Sequence, residues 1–451
     1  MKQVDHFQGK KILILGLAKS GVSAAKLMQK LGAFVIVNDI KPLEGNVEAE
    51  ELTAAGITVI GGHHPVELLS ESFELVIKNP GIPYHNPMVA RAIELAIPVI
   101  TEVELAYQIS EAPFVAVTGT NGKTTTTTLI YEMLRLGEKK PLIAGNIGTV
   151  ACEVAEDATA ENVIVIEMSS FQLMGIQEFR PKIAVLTNLF DTHLDYHGTR
   201  QAYLEAKLNV FRNQTSEDYV IYNGNQTEYA EAVRKSTSTS VAFAIDQTSD
   251  NQADVYVQDG WVYFRADKVV EVKKIVLPGR HSLENILAAI AAVKLLGVEN
   301  AAIEEVLTTF QGVEHRFQFV KEVDGRRFYN DSKATNIVAA SKALEAFETP
   351  TILLAGGLDR GNEFGELKPY LKCVKLMVTF GETAAKLERV AKELNIETLR
   401  VKDVAEAVPV AYQHSAIGDC VLLSPACASW DQYRTFEERG QVFVTAVEQL
   451  G

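Results

Sequence analysis

The chain has 451 residues, 47% of them apolar, with 43 Lys and Arg against 58 Asp and Glu for a formal charge of -15. That length exceeds one hydrophobic core and predicts two to four globular domains, while the acidic balance argues against a nucleic-acid surface and requires any anionic ligand to meet locally concentrated positive charge. Cys152, Cys373, Cys420 and Cys427 are scattered and form no CxxC pair, so neither a disulfide framework nor a zinc site is indicated, and a reducing cytoplasm fits.

In chain order, the opening MKQVDHFQGKKILILGL ends its apolar run at Gly16. That is too short for a signal peptide or a membrane span, and it reads as a buried strand; no later stretch approaches the roughly 20 apolar residues of a membrane helix. The strand KILIL at 11–15, the turn GLAKSG at 16–21, a helix from Val22 to Leu31 and the strand AFVIVND at 33–39 make a βαβ unit. Another strand at 74–81 ends in an Asn-Pro-Gly turn, and a first domain boundary is expected near Ile100, giving residues 1–101.

A second block, 102–311, begins with APFVAVTGT and the helix-opening NGKTTTTTLIYEMLRL, and continues with strands at 162–168, 182–188 and 218–222. Period-two alternation around Asp259-Gly260 predicts an antiparallel hairpin over 254–265. Helices from Ser282 to Leu296 and from Ala301 to Phe310 close the block. The third, 312–451, opens with a second Asp-Gly hairpin, HRFQFVKEVDGRRFYND, and alternates the strands TILLAGG, KLMVTF and CVLLSP with helices. The whole is an α/β chain: a Rossmann-like N-terminal domain, a central phosphate-loop domain with a mostly parallel sheet plus a small antiparallel one, and a Rossmann-like C-terminal domain.

The most legible chemistry is GTNGKTT: Gly119, Thr120, Asn121, Gly122, Lys123, Thr124 and Thr125. A Gly-rich loop between strand and helix aims backbone N–H groups at a phosphate, Lys123 neutralises it, and the Thr124 hydroxyl suits a magnesium ion. The loop lacks the first Gly of the general phosphate-loop pattern, having Val117 there, and the competing assignment is a glycine turn capping an ordinary helix. Glu167, in EMSSFQL with Ser169 and Ser170, stands at a strand's carboxyl end and fits either a hard-cation ligand or a solvated carboxylate. TNLFDTHLDYHG supplies Asn188, Asp191, His193, Asp195 and His197 at a similar edge. YNDSKATN, LLAGGLDRG and LLSPACASWDQY are three further polar strand ends that form one pocket or, read separately, three capped turns.

Taken in order, GTNGKTT, EMSSFQL, the His193 segment, YLEAKLNVF, GRHSLENILAA, HRF, NDSKATN and SPACAS resemble the Mur ligases of peptidoglycan synthesis over nearly the whole chain. NDSKATN and SPACASWDQYRTFEERG resemble in particular the members that add D-glutamate to UDP-N-acetylmuramoyl-L-alanine. The resemblance implies an ATP-dependent ligase working through an acyl phosphate, with ATP and magnesium, two ions in all, as cofactors. Its expected partners are those small molecules alone, with no nucleic acid and no membrane insertion, and the expected state is a monomer. By the same resemblance the UDP-linked substrate meets Ser20, Gly21, Asp39, Asn146, Ser169 and Gln172. ATP meets residues 119–125, Asn285, Arg316 and Asp331, with closure of the third domain completing the site. Magnesium meets Thr124, Glu167, His193 and a carbamylated Lys207, and the catalytic set is Lys123, Glu167, His193 and Lys207. D-Glutamate meets Lys333, Thr335, Arg360, Ser429 and Phe436. Some relatives carry Lys where this chain has Arg360, a residue able to grip a carboxylate bidentately, and Ser282 replaces an Asn.

Three alternatives compete. A nicotinamide oxidoreductase accounts for the doubly wound ends but leaves the central phosphate loop and Lys207 unexplained, and GLAKSG is not GxGxxG. A non-catalytic nucleotide binder has no need of Lys123, Glu167 and His193. A folylpolyglutamate synthetase shares the fold and takes a folate in place of the UDP-sugar.

Overall fold

The computed structural model describes residues 1–190, 192, 194–247 and 252–450, without the side chains of Leu194 and Asp195. Two compact units result: Met1–Lys273 with Glu284–Val306, and Lys274–Leu283 with the chain from Leu307 onward.

The first unit opens with β1 (Lys11–Leu15), α1 (Lys19–Lys30), β2 (Phe34–Asn38), α2 (Val47–Ala54), β3 (Thr58–Ile60), β4 (Leu75–Lys78), α3 (Pro87–Glu94), β5 (Val99–Ile100) and α4 (Glu102–Ile109). All five strands run parallel, in the order β3-β2-β1-β4-β5. Ile12 to Leu15 are each 0% exposed, since helices cover both faces of a parallel sheet and the central strand needs an unbroken apolar run. Helix α1 begins three residues before the expected Val22. A Cβ on Gly21 would stand 2.0 Å from the Gly16 carbonyl oxygen, so glycine lets the helix start directly against its own turn.

The same unit continues with β6 (Phe114–Thr118), α5 (Lys123–Leu136), β7 (Pro141–Gly145), α6 (Ala151–Asp157), β8 (Val163–Glu167), α7 (Ser170–Leu173), β9 (Ile183–Leu186), α8 (Leu194–His197) and α9 (Arg200–Leu208). Then come β10 (Tyr219–Asn223), α10 (Thr227–Val233), β11 (Thr239–Ala244), β12 (Val255–Gln258), β13 (Trp261–Phe264) and β14 (Asp267–Glu271). Helices α11 (Arg280–Leu295) and α12 (Asn300–Thr309) run across the division between units. The sheet has nine strands in the order β14-β13-β12-β11-β10-β9-β6-β8-β7. Its antiparallel strands, expected as a small sheet, continue its edge, because β11 pairs parallel with β12 before the chain turns back at Asp259-Gly260. Both turn residues have positive φ, 50° and 75°, as a two-residue hairpin demands.

The two sheets of this unit share one core, in which Leu27, Met28, Val103, Ala106 and Cys152 are all buried. Glu102, fully buried, accepts the Cys152 N–H at the start of α6, and burial pushes its carboxyl up to about 7. The expected boundary at 101 falls within this seam.

The second unit carries β15 (Gln318–Val323), β16 (Arg326–Asn330), α13 (Ile337–Leu344), β17 (Thr351–Gly356), β18 (Val374–Phe380), α14 (Ala384–Glu393), β19 (Glu397–Arg400), α15 (Val404–His414), β20 (Cys420–Leu423) and α16 (Phe436–Glu448). Its sheet order is β15-β16-β20-β17-β18-β19, parallel except for the β15–β16 hairpin at Asp324-Gly325. Among the described residues no helix is long and apolar enough to cross a membrane.

Candidate active site

The loop 119–122 joins the buried strand β6 to α5 in a conformation that two glycines make possible. Gly119 has φ +147° and a Cβ there would fall 1.9 Å from Thr187 Oγ1; Gly122 has φ +78° and its Cβ would fall 2.0 Å from Asn285 Oδ1. Neighbouring side chains therefore close directly over the backbone. Asn121 is held on both sides: its N–H donates to Asn188 Oδ1 at 2.9 Å, and its carbonyl accepts from Thr187 Oγ1 at 2.7 Å and Asn188 Nδ2 at 3.1 Å. Helix α5 opens on Gly122 with no side-chain cap, which leaves its first-turn N–H groups and the positive end of its dipole for an anion. Lys123 Nζ folds back to the carbonyl oxygens of Gly119 (3.0 Å) and Thr120 (2.9 Å), and Thr125 follows in the same turn. Five threonines in a row disfavour a helix by propensity. Tertiary burial of Thr124, Thr126 and Thr127 overrides it.

Adjacent strand ends deliver the next groups. Thr124 Oγ1 donates to Glu167 Oε2 at 2.7 Å and Asn146 Nδ2 to Glu167 Oε1 at 3.0 Å. Glu167 is 1% exposed, so of its two expected environments the solvated one is excluded. This hydroxyl and carboxylate are hard oxygen donors of the kind magnesium prefers. Lys207, on α9, is equally buried; its Nζ donates to the Gly119 carbonyl oxygen at 2.7 Å and lies 4.6 Å from the Tyr203 ring centroid. Burial, and secondarily the charge of Lys123, hold its pKa well below the usual lysine range. Tyr203 contacts the loop too, 3.1 Å from Thr120 Oγ1. Asp191 and His193 lie outside the described residues, as does the side chain of Asp195. Ser170 Oγ stands 2.9 Å from His197 Nε2, whose ring stacks on Phe171. Ser169 and Gln172 form a capping box on α7, with Ser169 N–H donating to Gln172 Oε1 at 2.8 Å.

At the first sheet, Ser20 and Gly21 open α1 beside the carboxyl ends of β1 and β4, where the strand order reverses and ligands of open α/β sheets bind. Asp39 braces that turn from below, accepting Leu17 N–H and Lys41 N–H at 2.8 Å each. Lys78 and Tyr196, which sequence reasoning passed over, stand at the same edge; a lysine closing the apolar strand LVIK was the available signal.

In the second unit, Asp331 accepts from Ser424 Oγ at 3.0 Å and Phe317 N–H at 3.2 Å; burial pushes its carboxyl up to about 7, against the charge of Arg316. Thr335 and Arg360 line one small cleft, together with Thr383 and Cys427. Ser429 Oγ is buried with no hydrogen-bond partner among the described residues. Lys333 Nζ sits 3.7 Å from the centroid of Phe436, the first residue of α16, and Arg360 packs over Trp430. Beneath them Arg439, 0% exposed, donates to Ser332 Oγ (3.0 Å), Ser332 O (2.8 Å) and Cys427 O (3.1 Å). The three polar strand ends are thus one assembly. Arg439 was missed because nothing in FEERG distinguishes a buried arginine from a helix-surface one.

Residues 117–293 match the pattern of the Mur ligase middle domain, 315–427 that of the Mur ligase, glutamate ligase domain, and 10–101 that of the Mur ligase MurD-like, N-terminal domain. The UDP-N-acetylmuramoylalanine--D-glutamate ligases of Geobacillus sp. (strain WCH70) and Geobacillus kaustophilus (strain HTA426) are 59% and 58% identical to it, over the full length of each chain. Among solved structures, the UDP-N-acetylmuramate-alanine ligase MurC of Thermotoga maritima aligns over 98% of this chain and 100% of its own, with a TM-score of 0.59 at 20% identity. MurF ligase from the same organism, in complex with ADP, aligns over 100% and 98% with 0.57 at 16% identity. Both likenesses show the fold.

Proposed function

The chain belongs to the Mur ligase family, and from that premise we propose that it uses ATP to join D-glutamate to the carboxylate of UDP-N-acetylmuramoyl-L-alanine. The full-length identity of 59% to a ligase of that name carries the proposal, and the geometry around Lys123 fits it. We assign 1–101 to the UDP-linked substrate, 102–311 to ATP and 312–451 to the amino acid, with the protein acting in the cytoplasm.

The substrate carboxylate attacks the γ-phosphorus of ATP, forming an acyl phosphate and releasing ADP. The D-glutamate amine attacks that carbonyl, loses a proton and expels phosphate through a tetrahedral intermediate. Lys123, freed from the Gly119 and Thr120 carbonyls by a bound triphosphate, carries the positive charge that meets the transferring group. Asn285, seated against Gly122, fixes the loop that orients it. Magnesium supplies charge neutralisation on the phosphates when bound, and Thr124 and Glu167, with His193, are the residues that would hold it. We assign further ATP contacts to Arg316 and Asp331, and D-glutamate recognition to Lys333, Thr335, Arg360, Ser429 and Phe436. Ser20, Gly21, Asp39, Asn146, Ser169 and Gln172 are assigned to the UDP-linked substrate.

Lys207 has the environment a carbamate requires. A buried lysine with a lowered pKa offers a neutral amine, which adds to carbon dioxide and releases one proton, leaving an anionic oxygen donor. Lys207→Ala is expected to abolish turnover and short carboxylic acids to restore part of it; failure of every acid to rescue counts against the carbamate. The function itself is tested by ADP release with UDP-N-acetylmuramoyl-L-alanine and each glutamate enantiomer. D-Glutamate alone should support it, and release indifferent to the amino acid would sink the assignment.

A further inference from the structure

Lys78 closes β4 at 1% exposure. Its Nζ donates to the carbonyl oxygens of Ile82 (2.9 Å) and Pro80 (3.3 Å) and lies 4.8 Å from the Tyr84 ring centroid. Tyr196, three residues after His193, donates its hydroxyl to the same two carbonyls, at 3.2 and 3.4 Å. Thus an ammonium from the first sheet and a phenol from α8 share one pair of acceptors and pin the turn 79–82 between them. That turn touches the turn after β1: Asn79 Nδ2 donates to Ser20 Oγ at 3.1 Å, and a Cβ on Gly16 would come within 2.9 Å of Asn79 Cβ. The two turns flank the crevice where the strand order reverses, between β1 and β4.

What distinguishes Lys78 is the lack of a counter-charge among the described residues. No carboxylate is paired with it among the described residues, and burial alone lowers its pKa, to about 8. At neutral pH the group is therefore mostly an ammonium, held out of water by carbonyl dipoles and an aromatic face. An unpaired buried charge is costly, and an apolar side chain would fill the space without that cost. An anion at the crevice mouth would supply the compensation.

We propose that Lys78 is a positioning residue for the UDP-linked substrate: it fixes the turn 79–82 against the turn after β1, and its buried charge favours the diphosphate there. This rests on the function proposed above. Because Tyr196 shares the acceptors, the same contact ties the substrate turn to α8.

The test is calorimetric binding of UDP-N-acetylmuramoyl-L-alanine and of uridine to the parent, Lys78→Met and Lys78→Gln, with melting temperatures and steady-state kinetics. Loss of one charge should weaken the diphosphate ligand roughly tenfold and leave uridine affinity and the KM for ATP unchanged. Equal loss for uridine and the diphosphate ligand, or no loss, in a variant that melts like the parent overturns the proposal. Should Lys78→Met fail to fold, Lys78→Gln, which keeps a donor for the carbonyls, decides by the same criterion. A parent protein that binds no UDP-linked substrate would instead overturn the functional reading on which this rests.

Discussion

Lys207, Lys78 and Asp331 are each ionisable side chains withdrawn from water, and their surroundings assign them different tasks. Both lysines have lowered pKa values, with desolvation as the first cause. For the same reason the Asp331 pKa moves the opposite way: burial favours the neutral form and raises its carboxyl from 3.8 to about 7. Between those two values the folded chain holds a proton that the unfolded chain has lost, so stability falls as pH rises through that window. The loss amounts to at most on the order of 4 kcal/mol above pH 7. Asp331→Asn should therefore melt higher than the parent at pH 8, with the difference closing as pH approaches 4. The asparagine keeps an acceptor for the Phe317 N–H. A pH-independent difference would show that the burial of charge is not what Asp331 contributes.

At the scale of elements, the phosphate loop works because strand, loop and helix are placed by side chains from elsewhere in the unit. Thr187 and Asn188 follow β9, Asn285 is on α11 and Lys207 on α9, and each touches the loop or would be struck by a Cβ on it. Gly122→Ala meets two obstacles at once: a left-handed φ, which costs about 1 kcal/mol for an L-residue, and a Cβ 2.0 Å from Asn285 Oδ1. Affinity for ATP should fall by more than about tenfold, equivalent to about 1.4 kcal/mol, while far-ultraviolet circular dichroism stays that of the parent. Parent-like ATP affinity would mean that the loop tolerates rearrangement and that its observed geometry is not required.

For the molecule as a whole, division into two compact units predicts two unfolding steps. Arg439 belongs to one of them, bridging Ser332 and Cys427 from the loops after β16 and β20. Arg439→Ala strands buried acceptors and opens a cavity, a loss on the order of 4 kcal/mol. In differential scanning calorimetry the step belonging to the second unit should drop while the other holds. A uniform shift of both would contradict independent units.

Much of this was legible in the chain because local rules and tertiary needs agree. Buried parallel strands such as KILIL and FVAVT need unbroken apolar runs, Asp-Gly pairs take the positive φ of tight hairpins, and a phosphate loop needs glycine where side chains close over the backbone. Among the strands that escaped notice, β3, β7, β14 and β19 are sheet edges with partly exposed residues, so their apolar signal is diluted; β11 ended in a turn-rich stretch. Family resemblance marked residues, and geometry alone found their supports: Glu167 buried against Thr124, Asp39 bracing a turn, Arg439 beneath three loops, Lys78 with no carboxylate paired to it among the described residues. Sequence determines which residues are apolar, flexible or ionisable, since these are properties of single side chains and their neighbours along the chain. Only the fold decides which ionisable groups lose their water and what faces them, because desolvation and pairing depend on residues dozens to hundreds of positions away.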